Sequence, residues 1–358
     1  MAPQRCSFLA FFAAILVATT PAAAQQVKWA VRHDTSSTAV RNVDPGDVPA
    51  GTKDLEASEE EGTALTEGTA SSSVLQSSDG SVSDDGPGAN FDGLGVQENL
   101  NLNDLPAGPA PPDPNAAVGG SYVVQMMNTI FAVYDKNGSR VMDPKPNNAL
   151  WNGFGGLCET TNEGDPIVLY DEKAQRWVLS QFARNGNETK FIECVAVSET
   201  SDPTGNYYRY AFEMSDFNDF PKLGVGLDSY TYTHKQIDSG RLEGPVVGAF
   251  ERDAMLNGQN ARQVLFGPKE SYSEIIFLPA DIDGNRPPNG TPNFYVGLDV
   301  AGERLRIWKT EIDWSSPNNA TFEEVAILDV QSFDADFCDR KLREDCISQP
   351  NDAFRRFE

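Results

Sequence analysis

An all-β fold built from repeated four-stranded sheets is predicted by three features of this 358-residue sequence. Between Gly164 and Phe212 four short runs, Ile167–Tyr170, Trp177–Phe182, Phe191–Ser198 and Tyr207–Phe212, are separated by polar turn segments. Each run has strand length, and Trp177–Phe182 alternates apolar and polar residues as a half-buried strand does. Weaker copies of the unit lie on both sides, and acids at matching places, Asp113, Asp165, Asp219 and Asp281, are 52, 54 and 62 residues apart. That step suits four strands plus their loops. Asn137-Gly138 supplies a hairpin turn, because both residues readily adopt positive φ. Sheets of this kind set around an axis form a β-propeller.

The elements follow in order. Residues 1–24 have signal-peptide form: Arg5, the apolar run Phe8–Ala18, and small residues 22–24 before Gln25. An apolar core of that length is too short to span a bilayer, so cleavage and export are expected, with no stable membrane insertion afterwards. Residues 25–104 form an acidic Ser/Thr/Gly-rich segment, and no Lys or Arg occurs from Asp54 to Asp135. With few large apolar side chains this segment is expected to be disordered. Residues 105–358 are the propeller domain, entered through the Pro-rich stretch 105–114.

Strand patterns begin with Ser121–Met127 and Thr129–Tyr134, and the unit already described comes next. A third unit holds 221–228, Tyr230–His234 and 244–250, followed by a short helical turn at 251–256. A fourth holds Ser273–Leu278, Asn293–Val300, Arg304–Ile312 and Glu323–Leu328. About four to five blades are thus present, ending near residue 330 with the opening of another. A ring must close or expose long sheet edges, so the expected ring is incomplete, truncated at its C-terminal side.

Formal net charge is −25, and −26 once the leader with Arg5 is removed. Such a surface repels phosphate backbones and anionic lipid, which excludes nucleic acid as a partner. Of five cysteines, Cys6 leaves with the leader. Cys158, Cys194, Cys338 and Cys346 remain, an even number suited to two disulfides in an exported chain. Chain order favours Cys158–Cys194 and Cys338–Cys346 among three pairings. Sequons at Asn137, Asn187, Asn289 and Asn319 fall in predicted turns and matter only in a host that glycosylates.

Several segments together carry a family likeness. They are PPDPNAAVG with YVVQMMNT (111–129), LWNGFGGLCETTNEGDPIVLYD (150–171), RWVLSQF, SDPTG, DFPKLGV and LPADIDG. In order and spacing they resemble secreted, mostly bacterial, sialidase-like β-propeller proteins of uncharacterised function, over roughly residues 90–350. The resemblance implies a propeller that continues past residue 358. It supplies no catalytic residues.

Four constellations are chemical candidates. The unit-initial acids Asp113, Asp165 and Asp219, with Asp281, would converge at one mouth of the channel, where paired carboxylates cleave glycosidic bonds. Glu159, Glu163 and Asp228 are further acids nearby in sequence. Asp-Pro is equally an ordinary strand-entry signal. Asp281, Asp283 and Asn285 alternate in a Gly-bearing loop that suits calcium, though they depart from the EF-hand pattern and read as well as an acidic turn. A Ser–His–Asp triad is disfavoured: His33 falls in the acidic segment, His234 in a strand, and no Gly-x-Ser-x-Gly elbow occurs. Among the aromatic residues, Trp151 and Phe154 lie in a Gly-rich loop and are the pair best placed to stack on a ligand, although core or rim packing is the leading reading for them as for the rest. Arg176, Arg184, Arg209 and Arg241 are scattered, unlike the arginine cluster a sialidase needs. The reading is an extracellular binding or scaffold module for a glycan or protein ligand; the alternative is a glycoside hydrolase using paired inner-strand carboxylates.

Overall fold

A computed structural model describes residues 25–50, 89–103, 112–268, 275–284, 287–299 and 303–331. The described chain opens with two short strands, β1 (Gln25–Trp29) and β2 (Arg32–Thr35), and a helix follows, α1 (Val96–Asn103). The first sheet is β3 (Asn115–Gly119), β4 (Tyr122–Met127), β5 (Ile130–Asp135) and β6 (Arg140–Pro146) in sequential order. A short helix, α2 (Leu157–Thr160), leads into β7 (Ile167–Asp171), β8 (Arg176–Arg184), β9 (Phe191–Ser198) and β10 (Tyr207–Met214). The third sheet is β11 (Phe217–Val225), β12 (Ser229–Asp238), β13 (Arg241–Glu251) and, after α3 (Arg252–Leu256), β14 (Arg262–Phe266). The fourth is β15 (Phe277–Pro279), β16 (Asn293–Asp299), β17 (Arg304–Glu311) and β18 (Thr321–Asp329).

All pairs are antiparallel. The first strand of each sheet lies beside the first strand of the next: β3 by β7, β7 by β11, β11 by β15. The sheets therefore fan around an axis lined by their opening strands, as β-propeller blades do.

Alternation along the strands builds the core between blades. Side chains on a strand point to opposite faces in turn. Trp177 and Leu179 pack with Val124, Met126 and Phe131 of the first blade. Val178, one residue away, packs with Tyr230, Tyr232 and Phe250 of the third. Val247 continues the series onto Phe277, Tyr295 and Trp308 of the fourth. A strand buried on both faces reads as a continuous apolar run, and β8 and β9 are buried almost throughout. Cys158 and Cys194 form a disulfide with Cα atoms 5.8 Å apart, tying α2 to β9. Cys338 and Cys346 lie outside the described residues, as does the expected leader.

The reading of residues 25–104 as disordered is corrected at both ends. β1 pairs with β14 and β2 with β10, so residues 25–35 add a fifth, outermost strand to the third and second blades. Arg209 clamps this segment: it holds Asp34 through two hydrogen bonds of 2.8 Å and donates to the Asn152 carbonyl, also at 2.8 Å. Residues 89–103 cover the far face of the first blade. The Phe91 ring lies 5.4 Å from that of Tyr134, and Leu94 donates its N–H to the Gln125 Oε1 at 2.7 Å. Gly138, at φ +88°, leaves room for Phe91; a Cβ there would meet its ring at 2.4 Å. Composition alone missed both segments because each borrows its partners from distant strands rather than from itself. Residues 51–88 lie outside the described residues. β3, β6 and β14 are further strands that the apolar patterns did not mark.

Candidate functional site at the mouth of the inner strands

The first two blades are entered through Asp113-Pro114 and Asp165-Pro166, and the opening strand of the third, β11, carries Phe220-Pro221 where its pairing with β12 is interrupted between Asp219 and Lys222. The residue before proline ordinarily adopts an extended conformation. Here all three have positive φ: +42° at Asp113, +51° at Asp165 and +52° at Phe220. Thr129, in the tight turn between β4 and β5, has φ +78°, an outlier for a β-branched side chain. Left-handed backbone costs roughly 1–3 kcal/mol at each such site and persists only where surrounding bonds impose it.

Those bonds are present, and Asn128 is their hub. Its Nδ2 donates to Asp113 Oδ2 at 2.7 Å, and its Oδ1 accepts from the Asp165 N–H at 2.9 Å. Its own N–H donates to the Pro112 carbonyl at 2.9 Å. One side chain thereby fixes the entries of two blades. Asn99 of α1 holds the turn from behind: its Nδ2 donates to the Asn128 carbonyl, and its Oδ1 accepts from the Thr129 hydroxyl, each at 2.7 Å. The Thr129 carbonyl accepts from Asn147 N–H at 3.0 Å and Asn162 Nδ2 at 2.8 Å.

The third blade contributes the opposite charge. Lys222 stands two residues after Phe220, as Asn115 and Ile167 stand after Asp113 and Asp165. Its ammonium donates to the Pro221 carbonyl at 3.1 Å and lies 3.5 Å from the Phe220 ring centroid. Lys235 reaches the same ring at 5.2 Å and faces Asp219 across the β11–β12 ladder. Burial pushes the Lys222 ammonium down from its usual range, while the charges of Asp165, Asp113 and Asp219 pull it back up. Three acids from three successive blades thus act on one amine.

Glu193 lies deeper, on β9 and fully buried. Asn218 Nδ2 donates to its Oε2 at 2.8 Å and the Tyr232 hydroxyl at 3.1 Å, so the network joins the second blade to the third. Burial pushes this carboxyl up to about 8, against the hydrogen bonds from Tyr232 and Asn218, so it is a neutral donor and acceptor at neutral pH. Glu163, nearly buried beside Asp165 in sequence, pairs with Arg184 at 3.2 Å.

The sequence candidates therefore separate. Asp113 and Asp165 occupy equivalent strand entries and share Asn128. Asp219 is one residue out of register: Phe220 takes the place its matching spacing implied. Asp281 is at the other end of the array. It follows β15 and accepts the Val225 N–H at 2.6 Å, where β11 ends. The four acids do not share one mouth, because the fourth unit aligns by its strand end and not by its entry. Asp283 is exposed near Asp281, and Asn285 lies outside the described residues. No group of three or more His, Cys, Asp or Glu side chains among the described residues is placed to hold a metal ion. Glu159 caps the Gly-rich loop, accepting the Gly153 N–H at 2.8 Å and the Gly155 N–H at 2.5 Å.

Trp151 and Phe154 are corrected as ligand-stacking residues: they are 0% and 1% exposed, inside the core between the first two blades. The Arg209 and Arg32 guanidiniums lie over the Phe154 ring, 5.2 and 5.6 Å from its centroid. A ring covered in this way presents no face to a sugar. His33 belongs to β2 and stacks on Tyr210 at 6.1 Å. His234 is buried on β12, and burial pushes its imidazole down to about 3. The four sequon asparagines are all exposed. Asn128, Asn99 and Lys222 were not singled out in the sequence; the signal that marks them is the X-Pro pair recurring at the start of three units.

No protein-family model matches the chain, and no curated protein matches it either. Among solved structures it is similar to the α-L-arabinanase of Penicillium chrysogenum complexed with arabinobiose, with 10% identity and a TM-score of 0.36, over 60% of this chain and 66% of that one. It is similar to the α-L-arabinofuranosidase of Lactobacillus brevis at 12% identity and TM-score 0.32, over 60% and 72%. For the exo-β-1,3-galactanase of Phanerochaete chrysosporium with β-1,3-galactotriose the values are 14% and 0.32, over 61% and 49%. The chain thus spans less than two thirds of the first and third of these. Among the described residues no helix is long and apolar enough to cross a membrane.

Proposed function

We propose that this protein is an exported glycoside hydrolase that acts at the axial mouth, with Asp113 and Asp165 as its carboxylate pair. The observation that carries the reading is the placement of both acids on strained X-Pro backbone at equivalent entries of neighbouring blades, locked by the single side chain of Asn128. Strain maintained by a dedicated network is characteristic of functional positions rather than of turns chosen for stability. Two carboxylates so held suit general acid–base attack on a glycosidic bond. Lys222 supplies a counter-charge to the neighbouring acids. The chain's negative charge favours a neutral glycan over an acidic one.

A binding module without turnover is the second reading, and Lys222 favours it: an ammonium already lodged among the acids suits holding sugar hydroxyls as well as cleaving between them. Reducing ends released from neutral polysaccharides decide between the two. Turnover that disappears in Asp165→Asn, with the melting temperature retained, supports hydrolysis. Binding without turnover on any neutral polysaccharide ends it. Calcium at Asp281, Asp283 and Asn285 remains a separate proposal; an unchanged melting temperature between chelator and millimolar calcium would remove it.

A further inference from the structure

We propose that Trp29 is the platform of a second glycan-binding site, on the outer rim of the third blade and independent of the axial mouth. Trp29 is 54% exposed, whereas every other described Phe, Tyr and Trp is buried or half-buried. It ends β1, the outermost strand of its sheet, directly opposite Arg262. The Arg262 guanidinium lies 5.1 Å from the Trp29 ring centroid and 5.8 Å from that of Trp314. That guanidinium is itself held fast. Nε donates to Glu251 Oε2 at 2.7 Å, and Nη2 donates to Glu251 Oε1 and to the Trp314 carbonyl, both at 2.5 Å.

One face of the indole is therefore backed by an immobile cation while much of the ring stays open to solvent. A single exposed aliphatic residue needs no explanation, but a large indole braced from behind and left uncovered is pre-organised for contact. The neighbouring chain supplies polar groups of matching kind. Ala30, next to Trp29, donates its N–H to the Ala261 carbonyl at 2.9 Å, and the exposed residues Gln259 and Asn260 directly precede Ala261 in the chain. An aromatic platform with neutral amides in the adjoining loop fits the C–H face and hydroxyls of a neutral sugar ring. An acidic sugar is disfavoured, since Glu251 already satisfies the arginine and the molecule's net charge is −25.

Affinity gel electrophoresis with soluble arabinan, galactan and xylan tests the site, on the full chain and on Trp29→Ala, Trp29→Tyr and Asp165→Asn. The expected result is that at least one polysaccharide retards the wild type and that Trp29→Ala binds about tenfold more weakly. Trp29→Tyr keeps most of the retardation, and Asp165→Asn keeps the Trp29-dependent part. Melting temperatures of the Trp29 variants within a few degrees of wild type show that the fold is intact. Equal retardation of Trp29→Ala and wild type, or no retardation by any of the three, overturns the proposal. Loss of turnover alone in Asp165→Asn bears on the mouth and leaves the rim site standing.

Discussion

Aspartates stand at both ends of the inner strands, in contrasting surroundings. At the entry ends, Asp113 and Asp165 are half-buried, sit at positive φ, and share Asn128. At the exit end of β7, Asp171 is fully buried and ordinary in backbone. It accepts from Arg252 Nε at 2.7 Å, Arg252 Nη2 at 2.9 Å and the Tyr230 hydroxyl at 3.1 Å. The exit acid is saturated by a fixed partner from the next blade and has nothing left to offer a ligand. The entry acids are held by backbone strain and an amide, with their charge facing an amine and partly open to solvent. Residue type is the same and all three flank or end inner strands; strain and saturation tell structure from candidate chemistry.

The same substitution at both ends is the sharpest way to break this contrast. Asp171→Asn leaves the Arg252 guanidinium buried without its counter-ion, and should cost about 3–5 kcal/mol in denaturant unfolding. A loss near zero would mean that the exit pair is not the lock it is taken for.

Glu193, beneath the entry mouth, predicts a pH dependence of a few kcal/mol. The folded chain keeps its proton up to about pH 8, whereas the ordinary value is 4.5. Between those values the folded state binds more protons than the unfolded, so stability falls as pH rises and levels off beyond. His234 acts oppositely: neutral when folded down to about 3 against an ordinary 6.5, it makes stability rise with pH over that window. Unfolding measured from pH 5 to 8 should show Glu193→Gln removing the decline. A decline that survives the substitution would place its origin elsewhere.

The smallest effect belongs to the entry acids. Asn tolerates left-handed backbone as well as Asp does, so Asp113→Asn and Asp165→Asn should each change stability by less than about 1 kcal/mol. Turnover, not the unfolding curve, registers them. A loss as large as that of Asp171→Asn would make them structural locks too.

Much of the blade pattern is legible in the residues. Apolar runs and turn signals mark most of the strands of the second, third and fourth blades, since strands that pack against neighbouring blades are largely apolar. The mouth was half legible. Asp-Pro marked Asp113 and Asp165, but Phe220 hid the third equivalent entry behind a neighbouring acid. Trp151 and Phe154 looked like an exposed loop pair because Gly-rich sequence carries no sign of Arg32 and Arg209 closing over it. Trp29 lay in a segment whose composition promised no fold.

Period, apolar alternation and turn chemistry are local, and by themselves they determined that this chain folds into a succession of antiparallel sheets. The tertiary structure alone decided which acids meet, which aromatic rings remain open, and that residues 25–35 complete two blades. Those outcomes depend on partners well separated in the chain, from 37 residues for Asp165 with Asn128 to 175 for Arg209 with Asp34, and no local propensity encodes them.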